Sequence, residues 1–304
     1  MIDIKYHIAS IVAVFLALGL GILIGSTIMG DDILVDQQKK LLDRLEEQFT
    51  IFKDREVQLV QENTYKDEII GNYENYSQAL LPFLVKERLA DENVAIVVTG
   101  NTDIPSGLIN TITIAGAQVV SKTVVLSNIN LSNPEIIDKL LNYYDIQDID
   151  DTYDTYEVLR RYIAGSVAAV LLNQDDNGIT EFMQENDLLS FTGDFNTPIT
   201  GVILVGGTNS LDHYFASSFD QSLIEHLGNN GIKVFGVEKS KIEYSYMQDY
   251  QQNNITTIDN IDLSPGQISL VFAMEGEPGN YGIKDTAQKF MPSLPVQSLG
   301  SGTR

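Results

Sequence analysis

From Ile8 to Met29 the chain reads IASIVAVFLALGLGILIGSTIM, twenty-two positions without a charge. At about 1.5 Å of rise per residue, this is enough helix to cross a hydrocarbon core roughly 30 Å thick. The pattern predicts one transmembrane helix over residues 8–29, preceded by a short cytoplasmic tail, residues 1–7, with His7 as an interfacial residue at its edge rather than a ligand. A cleaved signal peptide would need an apolar stretch of only about 7 to 15 residues followed by a small-x-small site. The apolar run continues to Met29 and no such site follows it, so the helix is expected to stay as an anchor. Within it Ala13, Ala17, Gly21 and Gly25 recur every fourth residue and line up as a stripe of small side chains. In lipid such a stripe lets two backbones approach closely, although glycine and alanine are common in membrane helices for other reasons.

Polar residues take over at Asp31. Residues 31–81 contain no proline, a single glycine, Gly71, and much Gln, Glu, Lys, Leu and Asp, a composition that favours one long helix closed by Pro82. Written as heptads, its a and d positions are Val35, Gln38, Leu42, Leu45, Phe49, Phe52, Glu56, Leu59, Asn63, Lys66, Ile70, Tyr73, Ser77 and Leu80. Nine of the fourteen are apolar, which makes an imperfect but sustained coiled-coil seam. Asn63 is a buried polar residue that would fix its register, and Glu56 and Lys66 weaken its middle. An amphipathic helix folded back on the rest of the chain is the alternative. The seam residues Leu42, Leu45, Phe49 and Phe52, with the small stripe at Ala13, Ala17, Gly21 and Gly25, are the expected contacts of a homodimer.

Beyond residue 92 the period changes. Val94–Val98, Gln118–Leu126, Gly201–Val205 and Ile232–Val237 are apolar runs of strand length rich in β-branched residues. Between them, residues 105–115, 134–144, 156–172 and 210–228 read as helices, and a last helix is expected over 264–274. Strands alternating with helices imply parallel pairing, so residues 92–292 are expected to form a three-layer α/β domain with a mostly parallel sheet. Residues 127–198 are a candidate insertion between its halves, and 293–304 a flexible tail.

Composition narrows the partners. Forty-two acids against nineteen bases give a formal charge of -23, which repels nucleic acid and anionic lipid alike. With no cysteine, disulfides, thiolate metal sites and cysteine nucleophiles are excluded. Orientation is mixed, since Lys5 lies before the helix while Lys39, Lys40 and Arg44 follow within reach of its far end. Long domains translocate largely regardless of charge, and an external body is expected.

Chemistry is sparse, and no Gly-Lys-Ser/Thr phosphate loop, GxSxG elbow or HExxH occurs. The loop TGNTDIPSG after the first strand lacks GxGxxG spacing. Gly206-Gly207, between a strand and a helix, could present amides to an anion or simply make a tight turn. His213 and His226 stand thirteen residues apart, without the spacing of paired ligands. Asn173–Glu185 approaches a calcium loop, with Asn173, Asp175 and Asn177 at positions 1, 3 and 5 and Gly178 at position 6, but it has Asn173 where an Asp and Gln184 where a bidentate Glu belong. It reads as a polar turn, and Asp148, Asp150, Asp151 and Asp154 read as a solvated acidic loop. No catalytic residue, metal site or cofactor is assigned, and no enzymatic activity is expected.

The opening IKYHIASIVAVFLALGLGILIGS and the stretch GNYGIKDTAQKFMPSLP, Gly279 to Pro295, resemble the two ends of the MctB-like (mycobacterial copper transport protein B) family. Members of that family start with an RYH-type segment, a membrane helix and a coiled-coil stalk, and carry a carboxy-terminal G-x-YG motif. The resemblance implies a single-pass envelope protein with a role in copper transport or copper homeostasis, and relatives linked to cell division and peptidoglycan remodelling. The residues support copper poorly. Cu(I) wants thiolate or thioether ligands, whereas the methionines at 29, 183, 247, 274 and 291 are scattered. The alternative is a dimeric, membrane-tethered scaffold that binds an envelope or division partner without catalysis. A long apolar helix belongs in the cell membrane rather than in an outer-membrane barrel.

Overall fold

The structure, a computed structural model, describes residues 4–100, 102–147, 154–174 and 178–293, with the side chains of 27–33 outside that description. Asp148, Asp150 and Asp151 of the acidic loop, Asp175 and Asn177 of the calcium-like stretch, Met29 as a side chain, and the tail from residue 294 thus lie outside the described residues. The chain divides into two compact units, Met1–Asn72 and Tyr73–Arg304.

The first unit is helical. Helix α1 runs Ile4–Val85, so Ile4–His7 already belong to it and Gly30 does not interrupt it. Its segment Ile4–Ser26 is long and apolar enough to cross a membrane. Beyond that segment, Lys40 pairs with Asp36 and Lys66 with Glu62 at 2.8 Å, each one helical turn apart, the spacing at which side chains on a helix surface meet.

The second unit opens with the last residues of α1. Pro82 does not close the helix as expected, because only one turn remains and Lys86 N–H donates to the Pro82 carbonyl at 3.2 Å. Continuing to Val85 carries Leu81 and Val85 into the core, where both are buried. Strands and helices then follow as β1 (Asn93–Val98), α2 (Leu108–Ile114), β2 (Gln118–Val125), α3 (Pro134–Tyr143), α4 (Thr155–Leu171), α5 (Ile179–Glu185), β3 (Leu189–Gly193), β4 (Gly201–Val205), α6 (Gln221–Asn229), β5 (Lys233–Val237), α7 (Met247–Gln252), β6 (Thr256–Ile258), α8 (Ser264–Glu275) and β7 (Asn280–Tyr281). Local chemistry sets several of these starts. Pro134 opens α3 behind an Asn133 cap that accepts from Glu135 N–H, and Asp154 caps α4 by accepting from Tyr156 N–H.

Among the described residues, seven strands form one sheet in the order β3-β2-β1-β4-β5-β6-β7. Every pairing is parallel except β2 with β3. Alternate residues of the central strands feed two separate apolar layers. Ala95, Val97, Val202 and Leu204 pack with Leu140, Leu159, Ile163, Val167, Phe219 and Leu223 on one face. Val94, Ile96, Ile203 and Val205 pack with Val85, Leu108, Ile112, Ile268 and Val271 on the other. The expected three-layer α/β architecture with a mostly parallel sheet is the observed one. Residues 127–198 are no separate body. Their helices α3 and α4 supply much of the first layer, and β3 extends the sheet edge.

One expected helix is broken. Residues 210–228 form a single turn at Leu211–His213, an extended step, a π-helical turn at Ala216–Asp220 and then α6. The wider turn buries Phe215, Ala216 and Phe219 and turns Asp220 inward. Strand β3 was not expected, because its LSFTG sequence is buried only at its first residue; β6, β7 and α7 are too short to show a period.

Gly236 on β5 shows how tightly the sheet packs: a Cβ there would lie 2.3 Å from Tyr250 Cδ2. That ring cannot retreat, since its hydroxyl is bonded to Asp220. Gly236→Ala is expected to destabilise the protein by about 1–3 kcal/mol. Gly228→Ala on α6, where a Cβ would meet nothing within 4 Å, should be neutral or slightly stabilising. Thermal unfolding of the two variants side by side checks the contrast, and equal melting temperatures would refute it.

Candidate functional site

The residues singled out from the heptads and the small-residue stripe lie in the first unit. Ala13, Ala17, Gly21 and Gly25 are exposed on α1, and a Cβ added at Gly21 or Gly25 would meet nothing within 4 Å. Leu42, Leu45, Phe49 and Phe52 are also exposed, from 60% at Leu42 to 72% at Phe49. At heptad spacing they occupy one side of the helix.

In the second unit, polar groups gather at the carboxyl ends of the parallel strands, where open α/β sheets hold their ligands. The strand order reverses between β1 and β4, which makes that pair the switch point. Here the crevice is filled. A Cβ on Gly100 would come within 2.4 Å of the Gly207 carbonyl, and one on Gly206 within 2.1 Å of the Tyr250 hydroxyl. Gly206 N–H donates to Val237 and Thr208 N–H to Tyr244. The glycine pair therefore makes a tight turn against tyrosines, and the amides of Gly206 and Thr208 are already engaged.

Among the described residues, the carboxylates Asp220, Glu238 and Asp259 are buried towards the carboxyl ends of the parallel strands. Asp220 Oδ2 accepts from the Thr99 hydroxyl at 2.9 Å and the Tyr250 hydroxyl at 2.5 Å, whereas Oδ1 has no partner. Glu238 Oε1 accepts from Ser245 Oγ and Lys284 Nζ, each at 2.6 Å, and Oε2 from Tyr246 N–H at 2.9 Å. Asp259 accepts from the amides of Ile283 and Lys284 at 2.7 and 2.9 Å. Gly282, at φ +143°, makes that last grip possible, because any Cβ there would overlap the Asp259 carboxylate. The segment Gly279–Lys284 is thus a clasp that ties β7 to the ends of β5 and β6.

Burial dominates the electrostatics. It pushes the Asp220 carboxyl up to about 7, with the nearby Asp249 charge adding to the effect and the Tyr250 and Thr99 hydrogen bonds opposing it. The same loss of solvent raises Tyr246 and Tyr250, and Tyr214, which donates to Asp249, rises as well. Asp220 is consequently a carboxyl able to hold a proton near neutrality.

With this geometry in view, the family described as copper transport outer membrane protein, MctB, matches the chain over residues 1–292. The chain belongs to the MctB family. Comparison with curated proteins finds no match. Membership makes this a membrane protein related to copper transport.

The described residues of this MctB member do not fit a soft copper site. Met183 and Met247 are buried in one apolar layer and Met274 in the other, while Met291 packs against the second. Among the described residues no group of three or more His, Cys, Asp or Glu could hold a metal ion. His213 lies in the turn after β4 and His226 on α6, not on one helix as expected. The residues that carry the carboxy-terminal motif, Gly279, Tyr281 and Gly282, belong to the clasp. Sequence reasoning did not find Asp220, Glu238 or Asp259, which are scattered singly along the chain. The one hint was the GNYGIK stretch that ends in Lys284.

The elevated Asp220 value has a pH signature. A carboxyl whose folded-state pKa exceeds its unfolded value of about 3.9 binds its proton more tightly when folded. Its stabilising contribution is full below about pH 4 and is lost as the pH rises through about 7. Asp220→Asn keeps both acceptor bonds without the ionisation, so it should lose less stability than the parent between pH 5 and 7.5. The expected difference is on the order of 1–3 kcal/mol. Unfolding curves at the two pH values measure it, and parallel losses would show that Asp220 does not titrate there.

Proposed function

We propose that the protein is a single-pass, cell-membrane-anchored component of copper transport or homeostasis that works as a parallel homodimer with its α/β head outside the cytoplasm. The observation that carries the dimer is the row of exposed apolar side chains at Leu42, Leu45, Phe49 and Phe52, a seam that water alone would leave uncovered. The anchor, Ile4–Ser26, adds the small-residue stripe Ala13, Ala17, Gly21 and Gly25. Tethering two such helices in one bilayer raises their effective concentration, so a seam too weak for free solution can pair on the membrane. An apolar α-helix suits the cell membrane, and there the anchor is placed, although the family description names an outer-membrane protein.

A second reading is favoured by the donor set. Methionines split between two layers, with no cysteine, suit a scaffold that recruits an envelope or division protein better than a head that carries Cu(I) itself. In that case copper handling depends on the partner.

Two measurements test these readings. The chain has no cysteine of its own, so Leu42→Cys should give a disulfide-linked dimer in oxidised membranes. A membrane-impermeant maleimide added to intact cells should block that crosslink. Replacing Leu45 and Phe52 with Asp should reduce crosslinking at least tenfold, because each places a charge in the seam. An unlinked Leu42→Cys chain, or an indifferent double mutant, would rule out the stalk dimer, and protection from the maleimide would reverse the orientation. Calorimetric titration of the full chain in detergent with Cu(I) should show no stoichiometric submicromolar site. Finding one would restore direct copper carriage.

A further inference from the structure

In the second unit, the end of α1 has two unlike sides. One side is held by the head: the Glu74 carboxylate accepts from Ser264 N–H at 2.9 Å and Ser264 Oγ at 2.6 Å, and Leu81 and Val85 are buried. The other side presents Tyr73, Tyr76, Leu80 and Phe83, exposed by 71%, 65%, 37% and 84%. Their spacing of three, four and three residues is that of successive a and d positions. Ser77, the a position expected from the earlier heptads, is half-buried instead. The apolar row has therefore moved to Tyr76 by a three-residue step, the kind of insertion that locally overwinds a coiled coil.

Charge singles out the same stripe. Between Glu68 and Lys86 the only charged residue is Glu74, and its carboxylate is engaged on Ser264. In a chain of net charge -23, two copies repel each other over most of their surfaces and approach at least cost where charge is absent. The same negative charge disfavours an anionic lipid surface as the occupant.

We infer that a second copy of this chain covers the stripe: Tyr73, Tyr76, Leu80 and Phe83 meet their counterparts across a two-fold axis and bring the heads together. The inference rests on the parallel dimer proposed above and extends it from the stalk to the head. In a parallel two-fold arrangement identical positions face each other, so the stripe is its own complement. Its area fits this supporting part. Four side chains per copy, none of them fully exposed to begin with, each hide less area than a fully buried aromatic, about 150–250 Å², so the two copies together stay below the roughly 1,200–2,000 Å² of a stable interface. The stripe prolongs a contact that the seam begins.

The test uses full-length chains in membranes, each with one introduced cysteine: Tyr76→Cys, Phe83→Cys, Gln78→Cys or Leu42→Cys. At about 100° per residue, Gln78 lies on the side of the helix away from the stripe. All four positions are open enough to change without disturbing the core. Tyr76→Cys and Phe83→Cys should crosslink as completely as Leu42→Cys, and Gln78→Cys at least tenfold more slowly. If Leu42→Cys links while Tyr76→Cys and Phe83→Cys do no better than Gln78→Cys, the stripe is not an interface between copies, although the stalk dimer stands. If none of the four links, the dimer fails and the stripe contact with it. Linkage at Tyr76 and Phe83 without linkage at Leu42 would keep the head contact and remove the stalk seam.

Discussion

The second unit depends on burying strands β1 and β4 on both faces at once. Val94 to Val98 and Val202 to Leu204 are almost fully removed from solvent, and neither strand has a polar side to turn outward. A strand of this kind is stable only with apolar cover above and below. That requirement recruits α3, α4 and α6 to one face, and α2, α8 and the end of α1 to the other. It also accounts for α1 continuing past Pro82, since stopping there would leave Val85 outside the second layer.

The same close packing closes the place where folds of this class open. Beyond β1 and β4 the backbone of Gly207 comes so close to Gly100 that a Cβ cannot fit there, and the rings of Tyr246 and Tyr250 leave no room for one at Gly206. Buried carboxylates remain there because each is paired. Glu238 has Lys284, Asp259 has two backbone amides, and Asp220 has two hydroxyls. A carboxylate left unpaired at such depth would cost several kcal/mol. The groups that look most like a reaction centre are thus better explained by what they hold together: the π-helical turn before α6, the end of β5 and the last strand.

Reading the sequence worked where a pattern was long or an apolar run unbroken. The apolar run 8–29, the heptads from Val35 and the four β-branched strands all announced their elements, and the three-layer arrangement followed from their alternation. It failed where tertiary contacts overrode local pattern. Residues 210–228 have helical composition throughout, yet placing Phe215 and Phe219 in the core while directing Asp220 at Thr99 and Tyr250 requires a wider turn than an α-helix allows. Strand β3 was hidden because one edge strand with a single buried residue has no alternation to see. Gly206-Gly207 left an anion site and a tight turn both open, because the tyrosine neighbours that decide for the turn lie some forty residues further on, beyond the reach of any local motif. The buried carboxylates escaped for the same reason, since their partners are assembled by topology rather than spacing.

The bond from Glu74 to Ser264 has a mechanical side. It joins the last turns of α1 to the backbone at the start of α8, while Leu81 and Val85, two and three turns on, are locked among Leu108, Ile112 and Ile268. A helix pinned at two levels cannot spin about its own axis. Its angular phase at Tyr73 is dictated by the packing of the sheet and its helices, as a key fixes a shaft in its hub. Whatever arrives along this helix as a twist must therefore be passed to α8 and the sheet beneath it, or be resisted by them.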